Sequence, residues 1–189
     1  MGVAFQASAP GRCGILGNPS DIYGGHVLSC SVPSRARCRI ELGASEELPD
    51  DTRLLDAAVS RYPLRGAARV TWETEIPRSS GLSGSTALLA ATLACILAAD
   101  LQPPRLDGAG RIAFAELVRD IERNEAGIMC GFQDAYMVVH GGLQLVNYVG
   151  KHPLTAGPPA TLKALDVSEL PFLLVTTGVE RLSGAVHGP

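Results

Sequence analysis

The stretch "IPRSSGLSGSTALLAATLACILAAD", residues 76–100, restricts the possible folds of this chain more than any other. It carries no charge from Ser79 to Ala99. Small residues fill Ser79–Thr86, and alanine and leucine dominate the rest. The pattern predicts a loop that leads directly into a long helix over 82–99. A helix without a polar face has to be buried, so this one should form the centre of a core.

The same stretch is long enough to cross a bilayer. However, its first third is glycine, serine and threonine, no aromatic residues flank it, and no second hydrophobic stretch follows. We therefore favour a core helix and expect no membrane association.

Composition indicates one substantial domain, or one domain plus part of another, and excludes a nucleic-acid partner. Of the 189 residues, 46% are hydrophobic, which is enough for a sizeable core, and the net charge is −3 without any basic run. The five cysteines are odd in number and form no C-x-x-C pair, which is typical of reduced thiols. Because the N-terminus also lacks a signal-peptide pattern, we expect a cytoplasmic protein.

The order of predicted elements is typical of the α+β class. Strands come first, helices follow, and strands return, whereas a doubly wound sheet would alternate strands and helices. Hydrophobic periodicity predicts strands over 3–9, 35–42, 68–76, 142–149 and, buried, 171–177, with helices over 52–62, 82–99, 110–125 and 131–139.

The loop "SSGLSGST" at 79–86 has the composition of an anion site. Helix N-termini present unpaired N–H groups and a positive dipole end, and glycines let the backbone approach phosphate oxygens closely. No G-x-x-x-x-G-K-[ST] sequence occurs in the chain, so this is not a Walker A loop. The alternative is a Gly/Ser turn that merely caps a core helix.

Three stretches, in this order, carry a resemblance to a known family: "APGRCGILGNPSDIYGG" (9–25), "PRSSGLSGSTA" (77–87) and "ERNEAGIMCGFQDAYMVVHGGL" (122–143). Together they resemble the GHMP kinases, which include the galactokinase, homoserine kinase, mevalonate kinase and phosphomevalonate kinase families. Asn18 and Pro19 depart from the Glu-His of galactokinases, and they are similar to the glucuronokinase-like sugar kinases instead.

The resemblance implies a fold like ribosomal protein S5 domain 2, with ATP in a cleft against a second, ferredoxin-like domain. We expect the N-terminal domain over 1–165, and over 166–189 a linker with the start of an incomplete second domain. The implied activity is transfer of the γ-phosphoryl group of ATP, with Mg²⁺, to a hydroxyl of a sugar or sugar acid. An uncovered domain interface would favour a homodimer.

Two other functions stay open at this point. The chain could be a non-catalytic nucleotide- or sugar-binding module, or a truncated and inactive kinase. A mevalonate-type alcohol is the alternative substrate. It would require a more apolar acceptor pocket than these residues offer.

The resemblance also implies a role for individual residues. Asp134 would be the catalytic base and Arg12 its basic neighbour, although Asp134 could simply be a first-turn aspartate favoured by the helix dipole. Ser85, with Thr86 as second choice, and Glu122, with Glu125 as its rival, would bind the metal. The ATP phosphates would contact Pro77, Ser79, Ser80, Gly81, Leu82, Ser83, Gly84, Ser85 and Thr86, and the substrate would contact Asn18, Ser20, Asp21, Gly24, Gly25 and Gln133.

Overall fold

The computed structural model describes residues 3–152, 157–167 and 169–175. Their elements follow the predicted α+β order. The strands are β1 (Val3–Leu16), β2 (His26–Leu42), β3 (Ala68–Thr74), β4 (Leu143–Asn147) and β5 (Thr161–Ala164), and the α-helices are α1 (Arg53–Arg61), α2 (Gly84–Ala99), α3 (Gly108–Asn124) and α4 (Gln133–His140). A 3-10 turn, Ser20–Tyr23, joins β1 to β2.

The sheet is antiparallel and is built around β2. Along one edge β2 pairs with β1, and along the other it pairs first with β4 and then with β3. β5 extends the sheet beyond β4. Helix α2 packs on β1 and β2, so the helices form a second layer on one face of the sheet.

Helix α2 forms the centre of the core, as its uncharged sequence predicts. Leu89, Leu93 and Ile96 are fully buried and pack with Ile40 and Val70 of the sheet. No helix in the described part of the chain is long and apolar enough to span a membrane. A second cluster surrounds Phe132, Tyr136 and Tyr148 and fixes α4 against β4.

The first two strands are longer than predicted, because each continues through a proline. Pro10 lies in β1, an edge strand, where a missing N–H costs no sheet hydrogen bond on the outer side. Pro33 lies in β2 where the register with β1 shifts, between the segments that pair with β4 and β3. Irregular stretches of this kind accept proline.

The predicted buried strand over 171–177 is wrong for its described part, and β5 was missed. Residues 171–175 form no strand, and Phe172, Leu173, Leu174 and Val175 are exposed. Residues 176 and 177 lie outside the described residues. Apolar composition alone cannot supply the neighbouring strand that a β-strand needs. β5 is only four residues long, with little apolar character to reveal it.

Candidate active site

Helix α2 begins with an open N-terminus, formed by the loop 79–83. The loop turns sharply, with positive φ at Ser79 (52°), Gly81 (73°) and Ser83 (61°). Ser83 is the N-cap residue, yet its side chain caps nothing, and its buried hydroxyl has no partner among the described residues. The first N–H groups of any helix lack intrahelical acceptors. This end of α2 therefore offers donors and a positive dipole end to an anion.

A bulge in β1 brings the strand against this loop. The register with β2 shifts between Pro10 and Arg12, which leaves Gly11 at the irregularity. A Cβ on Gly11 would lie 2.9 Å from the carbonyl oxygen of Leu82, so only glycine allows this approach. The Arg12 amide then donates to the same carbonyl at 3.0 Å.

The Arg12 side chain links the loop to helix α4. Its Nη1 donates to the carbonyl oxygen of Gly81 at 3.1 Å, and its Nε donates to Oδ1 of Asp134 at 2.7 Å. Nη2 contacts the same carboxylate oxygen. Arg12 is buried, and a buried guanidinium paired in this way holds both partners in one geometry.

Asp134 lies in the first turn of α4, with 24% of its side chain exposed. Both contacts from Arg12 fall on Oδ1, and within the described chain no hydrogen bond involves Oδ2. The resemblance implied that Arg12 is the basic neighbour of Asp134, and the structure brings the two side chains together. One oxygen is held while the other remains available to a ligand.

Glu122 of α3 also contacts the start of α2. The Thr86 hydroxyl lies 2.8 Å and 2.9 Å from its two carboxylate oxygens, and the Ser85 hydroxyl donates to Oε1 at 3.2 Å. Glu122 is only 1% exposed, so it is not a solvated surface residue. Two hydroxyls and one carboxylate therefore converge at the start of α2.

Burial, together with the charge of Asp134, raises the pKa of Glu122 to about 7, although the hydrogen bonds from Thr86 and Ser85 lower it. Burial likewise raises the pKa of the neighbouring Cys130 thiol well above its ordinary value. Such a shift means that the ionised carboxylate is costly here without a cation. In the described residues no three His, Cys, Asp or Glu side chains group as metal ligands.

Glu125, the rival of Glu122, lies away from the loop. Its carboxylate pairs with Arg61 of α1. Arg61 also binds Asp120, 2.5 Å away, so these charges join α1 to α3. The structure therefore places Glu122, and not Glu125, beside the hydroxyls.

Comparison with known proteins fits this arrangement. Residues 52–142, which include the loop, Glu122 and Asp134, match the family described as "GHMP kinases N terminal domain". Over this segment, which is just under half of the chain, the protein is similar to the GHMP kinases.

Two curated proteins are similar to a larger part of the chain. Glucuronokinase 1 of Arabidopsis thaliana is 27% identical over 223 aligned residues, covering 97% of this chain and 60% of that protein. Mevalonate kinase of Archaeoglobus fulgidus is 27% identical over 152, covering 72% of this chain and 50% of that protein. This chain thus spans three fifths or less of the length of these two relatives.

Solved structures of GHMP kinases share the fold. A D-glycero-D-manno-heptose 1-phosphate kinase from Bacteriodes thetaiotaomicron has a TM-score of 0.68 at 21% identity, covering 87% of this chain and 60% of that one. The Methanococcus jannaschii mevalonate kinase has a TM-score of 0.65 at 12% identity, covering 87% of this chain and 56% of that one. These likenesses confirm the predicted α+β fold of a GHMP kinase N-terminal domain.

The predicted phosphate contacts divide into two groups. The backbone of Gly81–Thr86 forms the helix start next to Arg12 and Glu122. Pro77 lies on the exposed outer part of the loop, where its carbonyl accepts from the Ser80 hydroxyl at 2.7 Å. Among the described residues, no hydrogen bond joins Pro77, Ser79 or Ser80 to Arg12 or Asp134, and their role stays a prediction.

Three of the predicted substrate residues meet beside α4. The Gln133 side-chain amide donates to Oδ1 of Asn18 at 2.6 Å and lies 3.4 Å from Oδ1 of Asp21. The side-chain carbonyl oxygen of Gln133, Oε1, is buried and has no hydrogen-bond partner in the described part of the chain. Asp21 is itself 1% exposed. Asn18 is exposed here, whereas Gln133 and Asp21 are buried.

The other three predicted substrate residues shape the turn before β2. The Ser20 hydroxyl donates to the carbonyl oxygen of His26 at 2.9 Å. Gly24 adopts a left-handed φ of 73° at the end of the 3-10 turn. A Cβ on Gly25 would lie 2.6 Å from the Ser20 side chain. These contacts explain why small residues occur here, and contact with substrate stays a prediction.

Sequence reasoning underrated two residues. Thr86 was only the second choice for the metal, yet its hydroxyl is buried and lies closer to Glu122 than that of Ser85. Gly131 was not singled out, although its missing side chain admits Asp21. A hydroxyl one turn into an apolar helix was the available signal for Thr86. No local signal exists for Gly131, because Asp21 is far away in sequence.

Proposed function

We propose that this chain transfers the γ-phosphoryl group of ATP to a hydroxyl of a sugar or sugar acid. One observation carries the proposal above all: Arg12 bonds both the phosphate-loop carbonyl of Gly81 and the Asp134 carboxylate. The Arg12 side chain therefore links the start of α2, which can bind an anion, to the Asp134 carboxylate. Phosphoryl transfer requires mainly such positioning and charge neutralisation.

The ATP phosphates would bind at the open start of α2. GHMP kinases are ATP-dependent kinases. The N–H groups at 84–86 and the Ser83 hydroxyl would donate to phosphate oxygens. Arg12, at the edge of this loop, would offset the charge that builds up on the transferred group.

Asp134 would act on the acceptor hydroxyl. Its Oδ2 would accept the hydroxyl proton or hydrogen-bond it, while the Arg12 contacts keep Oδ1 fixed. The attacking oxygen would then point at the γ-phosphorus in line with the leaving group, and no phosphoenzyme is needed.

Magnesium fits the residues at the start of α2. A buried carboxylate whose pKa is raised, facing two hydroxyls, is a place where a cation relieves an unfavourable charge. Glu122 with Ser85 or Thr86 would hold the ion, and phosphates and water would complete its shell, as is usual for Mg²⁺. When bound, the ion would neutralise negative charge on the phosphates.

The polar groups beside Asp134 support a sugar or sugar acid as the acceptor. The Asn18 side chain and the unpartnered side-chain carbonyl of Gln133 suit the hydroxyl groups of a ligand, because a hydroxyl can both donate and accept a hydrogen bond. A glucuronokinase is among the relatives, and a heptose 1-phosphate kinase is among the structural neighbours. We therefore prefer a sugar or sugar acid over a mevalonate-type alcohol.

A phosphorylation assay tests the proposal. The chain is mixed with Mg²⁺ and ATP labelled in the γ-phosphate, and with glucuronate, a panel of hexoses and heptoses, or mevalonate. Transfer of label to a sugar or sugar acid is expected. Transfer only to mevalonate would contradict the acceptor class, and nucleotide binding without transfer to any acceptor would favour the non-catalytic module.

The remaining expectations stay predictions. They are the division at 165/166, self-association through an uncovered domain interface, and the cytoplasmic location. A sedimentation experiment on the chain would test self-association directly.

A further inference from the structure

The start of helix α4 is capped by a residue from a distant part of the chain. Phe132, the N-cap residue, provides no side-chain hydrogen bond. Instead, Oδ2 of Asp21 accepts from the backbone amides of Phe132 at 2.7 Å and Gln133 at 3.1 Å. A carboxylate at this position satisfies two N–H donors and interacts favourably with the helix dipole.

Gly131 makes this contact possible. A Cβ at residue 131 would lie 2.2 Å from Oδ2 of Asp21, which is far inside van der Waals contact. Its φ lies outside the left-handed region, so the backbone itself does not require glycine. The absence of a side chain at this position is explained by the carboxylate.

Asp21 is too deeply placed to bind a substrate directly. It is 1% exposed, and its oxygens face the two amides and the Gln133 side chain. Burial, together with the charge of Asp134, raises its pKa, whereas the amide hydrogen bonds lower it. Burying a carboxylate costs hydration free energy. We therefore expect a buried carboxylate only where its hydrogen bonds stabilise the structure around it.

We propose that Asp21 and Gly131 form a positioning clamp that fixes the first turn of α4, and with it the Asp134 carboxylate against Arg12. Asp134 directly follows Gln133, whose amide Asp21 holds. A shift of the Gln133 amide moves Asp134 relative to the loop 79–83. The proposal rests on the proposed function for its catalytic consequence, but the clamp itself can be tested without any activity.

The first measurement is NMR of the isotopically labelled chain. In the unmodified protein, slow hydrogen exchange is expected at the Phe132 and Gln133 amides, together with a resolved Arg12 Nε–H signal from its bond to Asp134. Asp21→Asn should speed exchange at both amides on the order of tenfold or more and shift the Arg12 signal. Gly131→Ala should reproduce both changes by displacing the same carboxylate.

Asp107→Asn is the matched control. Asp107 caps α3, where its side chain accepts from the Gly110 amide at 2.8 Å, and it lies outside the proposed site. This variant should alter exchange at Gly110 while leaving the Arg12 Nε–H signal in place. An unchanged Arg12 signal in both Asp21→Asn and Gly131→Ala would overturn the clamp, and so would an equal shift in Asp107→Asn.

Kinetics then separate positioning from substrate contact. A misplacement of about 1 Å can cost on the order of a hundredfold in rate. We expect a loss of this order in kcat for Asp21→Asn, with little change in KM for acceptor or ATP. A raised acceptor KM at unchanged kcat would overturn the proposal in favour of direct binding. If no acceptor is phosphorylated by the unmodified chain, the proposed function fails, and the NMR result still decides the clamp.

Discussion

The N-termini of α2 and α4 face the same site, but they are capped differently. At α2, the cap residue Ser83 makes no cap bond and its hydroxyl is unpartnered within the described chain. At α4, the buried carboxylate of Asp21 occupies the corresponding position. A helix start without an internal acceptor is available to an external anion, and one with an internal carboxylate is not. In the proposed function, the start of α2 is left for the ATP phosphates, and the capped start of α4 holds Asp134.

The largest effect is expected when the group held by the capped helix is changed. Asp134→Asn keeps an oxygen for Arg12 but cannot accept a proton, so kcat should fall by on the order of 10²–10⁴. ATP affinity should remain nearly the same, because the α2 start is untouched. Steady-state kinetics together with calorimetric ATP titration check this. Equal turnover in the variant would remove Asp134 as the base.

The next effect concerns pH and the carboxylate beside the open helix start. Folding raises the pKa of Glu122 from its ordinary 4.5 to about 7, so between these pH values the unfolded state binds fewer protons. Stability therefore falls as pH rises through this window, by about 3 kcal/mol for this group. Glu122→Gln should remove that part of the pH dependence.

Urea unfolding at several pH values, with a chelator present, measures this dependence. Glu116→Gln serves as a control, since Glu116 lies on the same helix but faces Tyr136 and Lys151. An identical pH profile in Glu122→Gln and the unmodified chain would contradict the assigned pKa.

Removal of the Asp21 carboxylate that caps α4 should lower the free energy of unfolding. Asp21→Ala leaves the Phe132 and Gln133 amides buried without an acceptor, and we expect the free energy of unfolding to drop by about 2–3 kcal/mol. Chemical denaturation measures it. A loss below the scatter of neutral surface substitutions would mean that water replaces the carboxylate, and the contrast between the two helix starts would disappear.

The smallest effect is expected at the open helix start. An N-cap serine normally contributes about 1 kcal/mol, but Ser83 makes no cap bond, so Ser83→Ala should change stability by less than about 0.5 kcal/mol. The same denaturation experiment applies. A loss comparable with that of Asp21→Ala would show that α2 is capped internally after all.

Local sequence rules predicted the open helix start but not the capped one. The glycines and hydroxyls before an uncharged helix are adjacent in sequence, so composition alone indicates the loop and the burial of α2. The Arg12–Asp134 pair followed from the resemblance of separate motifs. The clamp depends on a contact between Asp21 and residues more than a hundred positions later, and no periodicity encodes it.

The ends of the strands also show how far local sequence rules can predict structure. β3 was predicted nearly to its ends because alternation marks it, whereas β1 and β2 continue through Pro10 and Pro33, which read locally as breaks. Whether a proline ends a strand depends on which edge is paired. The apolar residues 171–175 show the converse, since hydrophobicity without a partner gave no strand.

In the proposed function, the ATP phosphates bind at the open start of α2, beside Asp134. Paramagnetic relaxation by Mn²⁺–ATP, with Mn²⁺ in place of Mg²⁺, tests it most directly in the labelled chain. We expect the strongest line broadening at the amides of residues 83–86 and 134, and little at α1. Broadening centred elsewhere, or no response to Mn²⁺–ATP at all, would contradict it.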